Sequence, residues 1–312
     1  HVDNTKGALA ADDSLVIRGS GTASVVDNTA GQLYSDGRIE LAAHRVLNQS
    51  GTMLAGQSLA LAADTVGGDG SLHSKGDLSL SVQQNFTNLN DIRANGQAVI
   101  HSAAQLNNQG VIQAGTLELR GEHVNNTVTG EISGGRTTVV AKGTLSNRGL
   151  IDGARTHIDV GTLDNAGTGR LYGDHLSIQA DTVNNREEGD RAAVIAARER
   201  LDIGAKLINN REQALIFSAG PGADALNVGG ALDGQGQATG RADLVLNDSA
   251  VIESLGGISI DANRLLNRNL HFNTELVRVG EPTQHTYIQP SGDPNKHDIS
   301  EYRWEGWSRA GR

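Results

Sequence analysis

Val46-Leu47-Asn48-Gln49-Ser50-Gly51-Thr52-Met53-Leu54-Ala55-Gly56-Gln57-Ser58-Leu59-Ala60-Leu61 is one period of a pattern that runs along most of the chain. An aliphatic residue, any residue and an asparagine open it. Two apolar residues separated by one residue follow about ten positions later. The asparagines are Asn4, Asn28, Asn48, Asn88, Asn108, Asn126, Asn147, Asn165, Asn185, Asn210, Asn247 and Asn267, with Gly68 in the missing place. Their spacings are 24, 20, 20, 20, 20, 18, 21, 18, 20, 25, 37 and 20. A period near twenty marks one supersecondary unit stacked on its neighbours. It gives a quasi-one-dimensional rod.

The spaced pairs are Leu15/Ile17, Ile39/Leu41, Leu59/Leu61, Leu78/Leu80, Ala98/Ile100, Leu117/Leu119, Val139/Ala141, Ile158/Val160, Leu176/Ile178, Leu201/Ile203, Leu226/Val228 and Ile258/Ile260. Period-two alternation reads as a strand with one buried face. A shorter run such as Met53 with Ala55 lies between each asparagine and its pair. Glycines such as Gly37, Gly56, Gly76, Gly96 and Gly115 separate the two runs, where the chain turns. Helical periodicity is absent. The expected fold is all-β: a right-handed parallel β-helix of about 20-residue coils. Equivalent residues then pile into columns, the asparagines forming a structural ladder of amide on amide with a left-handed backbone at the sharp turn. Propellers fail on the period, and leucine-rich horseshoes on the missing LxxLxL phrase.

The predicted organisation is a repeat region over 1–271 and a C-terminal segment over 272–312. Loop insertions are placed near 186–193 and 229–243. Beyond Phe272 lie five of the nine aromatics (Phe272, Tyr287, Tyr302, Trp304, Trp307) and Pro282, Pro290 and Pro294. Alternation over Glu275-Leu276-Val277-Arg278-Val279 predicts one strand before an irregular tail. That tail reads either as a cap for the last coil or as the start of a distinct binding module. In the second case Phe272, Tyr287, Tyr302, Trp304 and Trp307 are the candidate binding residues, because exposed aromatic rings anchor interfaces.

A net charge of −10 and a pI near 5.4 oppose nucleic acid and anionic membrane as partners. No stretch approaches the length of a membrane span. With no cysteine there is neither disulfide nor thiol chemistry. The chain opens at His1 in mid-repeat, which suggests a piece of something longer. A search for chemistry aligns Thr138, His157, His175 and Arg200 in one outward column, with Asp159, Ser177 and Asp202 in the next. Two histidines one coil apart lack a third ligand, and a solvent-facing polar ladder is the better reading. Gly67-Gly68-Asp69-Gly70 is half of a calcium nonapeptide without its tandem copy. Lys75-Gly76-Asp77 already has a turn to make. No catalytic residue, metal site or cofactor is expected. A polysaccharide lyase or hydrolase is the weakest of the functional readings, because fold alone does not license it.

Val46 to Gly51, followed by Leu54-Ala55-Gly56 and Leu59-Ala60-Leu61, resembles the haemagglutinin repeats of filamentous haemagglutinin-like proteins. So does the segment from Leu207 to Gly220, continuing through Val228 to Leu232 and Ala250 to Leu255. The family includes adhesins and CdiA-type effectors of contact-dependent growth inhibition. The resemblance covers roughly 1–275. It implies a giant protein exported through an outer-membrane two-partner-secretion transporter and displayed on a Gram-negative surface as a monomeric β-helical filament facing a target-cell receptor, protein or glycan. The secretion domain with its NPNG-type motif, the toxin domain and the VENN motif are not in this sequence. The expected role is therefore the distal stem of an adhesin or effector filament. Direct binding of glycan or protein by the rod is the alternative.

Overall fold

The computed structural model describes residues 1–277, 279–280 and 283–301. The chain divides into two compact units, 1–271 and 272–312. The first is a parallel β-solenoid of about 13 turns with roughly 20-residue coils. At about 4.8 Å per coil its length is on the order of 60 Å.

Each coil contributes three strand positions, and each position stacks in parallel on the same position one coil away. On the asparagine face, Val25–Asp27 lies on 45–47, and Phe86–Asn88, Gln105–Asn108 and His123–Asn126 continue the ladder. On the second face, Gln32–Ser35 pairs with Thr52–Ala55, which pairs with Ser71–Ser74. On the third face, Leu59 lies between Ile39 and Leu78, and Leu61 between Leu41 and Leu80. Towards the middle of the rod the strands run continuously around the corners, as in Glu131–Asn147, Leu150–Ala166 and Arg170–Glu188. No α-helix occurs among the described residues, so none is present to cross a membrane.

Alternation decides which side chains go inside. Over most of the rod the residue two before the asparagine (Val26, Val46, Leu106, Val124, Leu145, Leu163, Val183, Ile208) is buried, and so are the spaced pairs of the third face from Ile39/Leu41 to Leu226/Val228; at the ends Leu15 is only partly covered and Ile258 and Leu265 are exposed. The interior is a narrow aliphatic column in which Phe86 is the one buried aromatic among the described residues. Small and branched side chains fill a space that three closely approaching backbones leave.

Three expectations are corrected. First, Val139/Ala141 and Ile158/Val160 point inward as expected, but on these two coils the inward run begins two residues earlier, at Thr137 and Thr156, which shifts the register against the neighbouring coils. Leu117 lies on Thr137, Thr137 on Thr156 and Thr156 on Leu176, while Val139 and Ile158 continue the Leu119 column. Thr137 and Thr156 are buried because their hydroxyls donate to the Asp152 and Tyr172 carbonyls at 2.8 and 2.7 Å, so polar residues occupy core positions at low cost. Second, no ladder asparagine is left-handed. That conformation falls two residues later, at Lys6, Ala30, Ser50 and Ser249 with φ of 55°, 51°, 52° and 51°. The asparagine ends a strand and stays extended. Third, no strand forms over 275–277: no neighbouring strand pairs with it, and Leu276 is 94% exposed.

Both predicted insertion sites hold antiparallel hairpins on an otherwise parallel rod. Glu187–Glu188 pairs with Arg191–Ala192 across Gly189 and Asp190, whose φ values of 60° and 58° suit a two-residue hairpin turn. Ala231–Leu232 pairs with Ala238–Thr239. In the second unit, Tyr287–Ile288 pairs antiparallel with His297–Asp298, and Ile299–Glu301 forms a 3-10 turn.

Candidate interaction surface

The asparagines meet in one buried column. Asn4 donates to Asn28 and Asn28 to Asn48, at 2.7 and 2.8 Å. From Asn88 the chain of amides runs through Asn108, Asn126, Asn147, Asn165, Asn185, Asn210, Asn247 and Asn267, each Nδ2 donating to the next Oδ1 at 2.8–2.9 Å. From Asn4 to Asn210 the amide also reaches a backbone carbonyl of the following turn, as Asn165 does with Val194 at 3.1 Å, whereas Asn247 turns to the Ala250 carbonyl of its own coil. The glycine three or four residues on makes room. A Cβ at Gly51 would lie 2.3 Å from Asn48 Oδ1, and one at Gly130 would lie 2.2 Å from Asn126 Oδ1. Only at Gly68, with φ of 105°, is the ladder broken, and Asn48 there donates just to the Ser71 carbonyl at 3.4 Å.

Outside, the true register separates the two histidines. Thr138, His157, Ser177 and Asp202 form one outward column, and Arg136, Arg155, His175 and Arg200 form another. Asp159 belongs to a third column, against Gln179. His157 Nδ1 contacts Ser177 Oγ at 2.8 Å, and burial pushes its imidazole below the usual histidine range despite the opposing charge of Asp159. Arg200 is bound by Asp202 at 2.6 Å and by Asp224. The hydrogen bonds it donates to Asp202 hold it above the ordinary guanidinium range. Asp202 Oδ1 also accepts the Ala238 amide at 2.9 Å, and Gln179 Oε1 accepts that of Leu232 at 2.6 Å. The 231–239 hairpin is thereby fixed over the face. Between its tip and the arginine column lies an open groove of about 790 Å³. An insertion near 229–243 and several of the lining residues in outward columns are legible in the sequence, but the groove itself is not, because hairpin docking depends on Gln179 and Asp202 and leaves no local motif.

The 187–192 hairpin is clamped in a different way. Arg148 reaches Glu188 at 2.6 Å and Arg186 reaches it at 3.2 Å, with both arginines also on Asp164. The hydrogen bond from Arg148 brings the Glu188 carboxyl down to about 2.

Ser24, His44 and Asp64 lie on successive coils, with His44 Nδ1 on Asp64 at 2.7 Å. Yet Ser24 Oγ donates to the Gly21 carbonyl and accepts the His44 backbone amide, so its proton has another partner than the imidazole. No three histidine or acidic side chains converge as metal ligands among the described residues. Of the candidate binding aromatics, Phe272 is 75% exposed and Tyr287 is 54% exposed. The Tyr287 ring stacks on His285 at 6.3 Å. Tyr302, Trp304 and Trp307 lie outside the described residues.

The haemagglutinin repeat family matches in overlapping segments, 1–88, 59–110, 83–168, 150–205 and 175–277. A protein named deoxyribonuclease CdiA from Dickeya dadantii (strain 3937) is 28% identical over 213 residues, which make up 64% of this chain and 6% of that protein. The chain thus corresponds to a small part of its relative's length. No solved structure matches. The repeat, the solenoid and the amide column agree, and the chain belongs to the haemagglutinin repeat family, as a filamentous haemagglutinin/CdiA-like segment.

Proposed function

We propose that this chain is a non-catalytic rigid stem within a secreted cell-surface filament, either an adhesin or an effector of contact-dependent growth inhibition, that holds a binding region towards a target cell. The observation that carries the reading is the ladder from Asn88 to Asn267, which repeats one buried contact coil after coil and spends the sequence on length. A structure in which each coil rests on its neighbours resists bending while leaving its sides free to vary. The family, whose members are secreted proteins of Gram-negative surfaces, supports export by an outer-membrane two-partner-secretion transporter. The nuclease activity in the relative's name belongs to that protein; this chain aligns with 6% of it. Residues 272–312 we assign as a segment outside the repeat, either closing the last coil or opening a receptor-binding module.

A stem tolerates changes of length in whole coils. Removing residues 89–126 from the exoprotein that carries this chain places Asn88 beneath Asn147 and takes out two coils, about 10 Å of rod. Target-cell attachment is expected to persist. Loss of attachment by a variant that is still exported and folded would overturn the stem reading.

A further inference from the structure

The groove beneath the 231–239 hairpin has an uneven charge distribution. Its carboxylates are all engaged: Glu199 with His175 at 3.3 Å, Asp202 and Asp224 with Arg200, and Asp233 with its own loop amides of Gln235 and Gln237 at 2.9 Å. At the other end Arg136 and Arg155 are in register on adjacent coils, about 4.8 Å apart. Both are exposed, and among the described residues neither side chain has an ion pair or hydrogen bond. Two like charges stacked without a counter-ion repel; Arg148, Arg186, Arg198 and Arg268 find carboxylates, and other arginines without an ion pair among the described residues, such as Arg38 and Arg45, do not stack on a second arginine. The longest insertion of the rod is docked beside this pair. Its volume of about 790 Å³ falls within the roughly 300–1,000 Å³ of small-ligand sites.

We propose that this groove binds a carboxylate-bearing saccharide, with the carboxylate held between Arg136 and Arg155 and the sugar hydroxyls on His157, Ser177 and the Gln235 and Gln237 side chains. A planar carboxylate suits the guanidinium fork, which donates two parallel hydrogen bonds. Apart from Leu176, which is almost fully buried, the wall is lined by polar or charged side chains and glycine, and it offers no large exposed apolar anchor, so it fits a hydroxylated ligand better than a protein hot spot. With no Phe, Tyr or Trp in the groove, recognition rests on charge and hydrogen bonds, and affinity falls with salt.

The test is calorimetric titration of the full chain at about 0.15 M salt. The probes are a hexuronate trisaccharide, a sialylated trisaccharide, a neutral trisaccharide and a sulfated disaccharide. At least one carboxylated probe is expected to bind, with the neutral and sulfated ones tenfold weaker or worse. The double variant Arg136→Gln/Arg155→Gln is expected to lose at least tenfold at unchanged melting temperature, since both side chains are unpartnered. Arg93→Gln, on another face, is expected to bind as the wild type. Binding of no probe, equal binding of the neutral or sulfated sugar, or full binding by the double variant would each overturn the proposal. So would concentration-dependent self-association abolished in that variant, which would give the arginines to a second copy of this acidic chain.

Discussion

Replacing Asn147 by leucine tests how much the buried amide column contributes. Leucine is close to asparagine in size, so the perturbation is chemical. Asn147 Oδ1 accepts from Asn126 at 2.8 Å, and its Nδ2 donates to Asn165 at 2.8 Å and to the Arg170 carbonyl at 3.3 Å. The substitution leaves Asn165 Oδ1 without its donor and removes one of two acceptors from Asn126, which keeps the Leu150 carbonyl at 3.1 Å. Each buried group left unsatisfied costs about 1–3 kcal/mol, so the loss comes to about 2–4 kcal/mol. Asn48 provides the internal control. It receives Asn28, but the place above it belongs to Gly68, and its own donation is a long 3.4 Å bond to Ser71. The same substitution there orphans only one ladder contact, and about 1–2 kcal/mol is expected. Urea unfolding of both variants, with hydrogen exchange at amides flanking each site to separate local from global opening, measures the difference. The reasoning is refuted if Asn48→Leu costs as much as Asn147→Leu, or if both fall below about 0.5 kcal/mol.

Thr137→Val and Thr156→Val each remove a part-buried hydroxyl–carbonyl hydrogen bond and should lower stability by roughly 1 kcal/mol, whereas serine at either place should hold the bond; thermal melts compare them. Gly51→Ala forces a Cβ to within 2.2 Å of the Asn28 carbonyl oxygen and should cost more than about 2 kcal/mol, while Gly234→Ala meets open space and should stay within about 0.5 kcal/mol. The Glu188 carboxyl, lowered to about 2 from 4.5, adds stability that is fully present above pH 4.5 and is lost as pH falls towards 2. At 42% side-chain exposure solvent screening reduces its worth to about 1 kcal/mol, and acid titration of Glu188→Gln should lack that component. Truncation after His271 separates the two readings of the tail. A cap predicts aggregation or a lower melting temperature, and a binding module predicts a stable rod with lost target-cell binding. Unchanged stability and binding would refute both.

The fold was legible because two signals repeat independently. The asparagine spacing located the coils, and the spaced apolar pair located the third face on most of them, as Leu59/Leu61 and Leu78/Leu80 show. Reading failed where chemistry replaced hydrophobicity at an inward position. Thr137 and Thr156 look like surface residues until their acceptors are known, and the error of two residues that they caused put His157 and His175 in one column. Glycines were recognised as turn residues, but the role of Gly51 and Gly130 in making space for an amide oxygen depends on the neighbouring coil. The groove was out of reach for a related reason: Arg136 and Arg155 are separated from the hairpin by some eighty to a hundred residues of sequence, and only the register brings them to one wall. The period speaks about the repeat, and the groove is made by a departure from it.

The amide column has a direction. Every Nδ2 points towards the coil that comes later in the chain and every Oδ1 towards the earlier one, so a folded coil ends in an outstretched donor that its successor must meet. Such a column is polar: any coil in place offers its later neighbour a donor and its earlier neighbour an acceptor, so an end coil can be extended only by a partner of the matching sense. At Gly68 the column has a missing rung. Asn48 reaches out and finds no amide, and Asn88 begins a new series. The amide series before the gap and the one after it are therefore separate, and across Gly68 the coils are joined by the aliphatic column, by backbone pairing and by side-chain-to-backbone bonds such as Ser50 N–H to Asp69 and Asn90 to the Asp69 carbonyl.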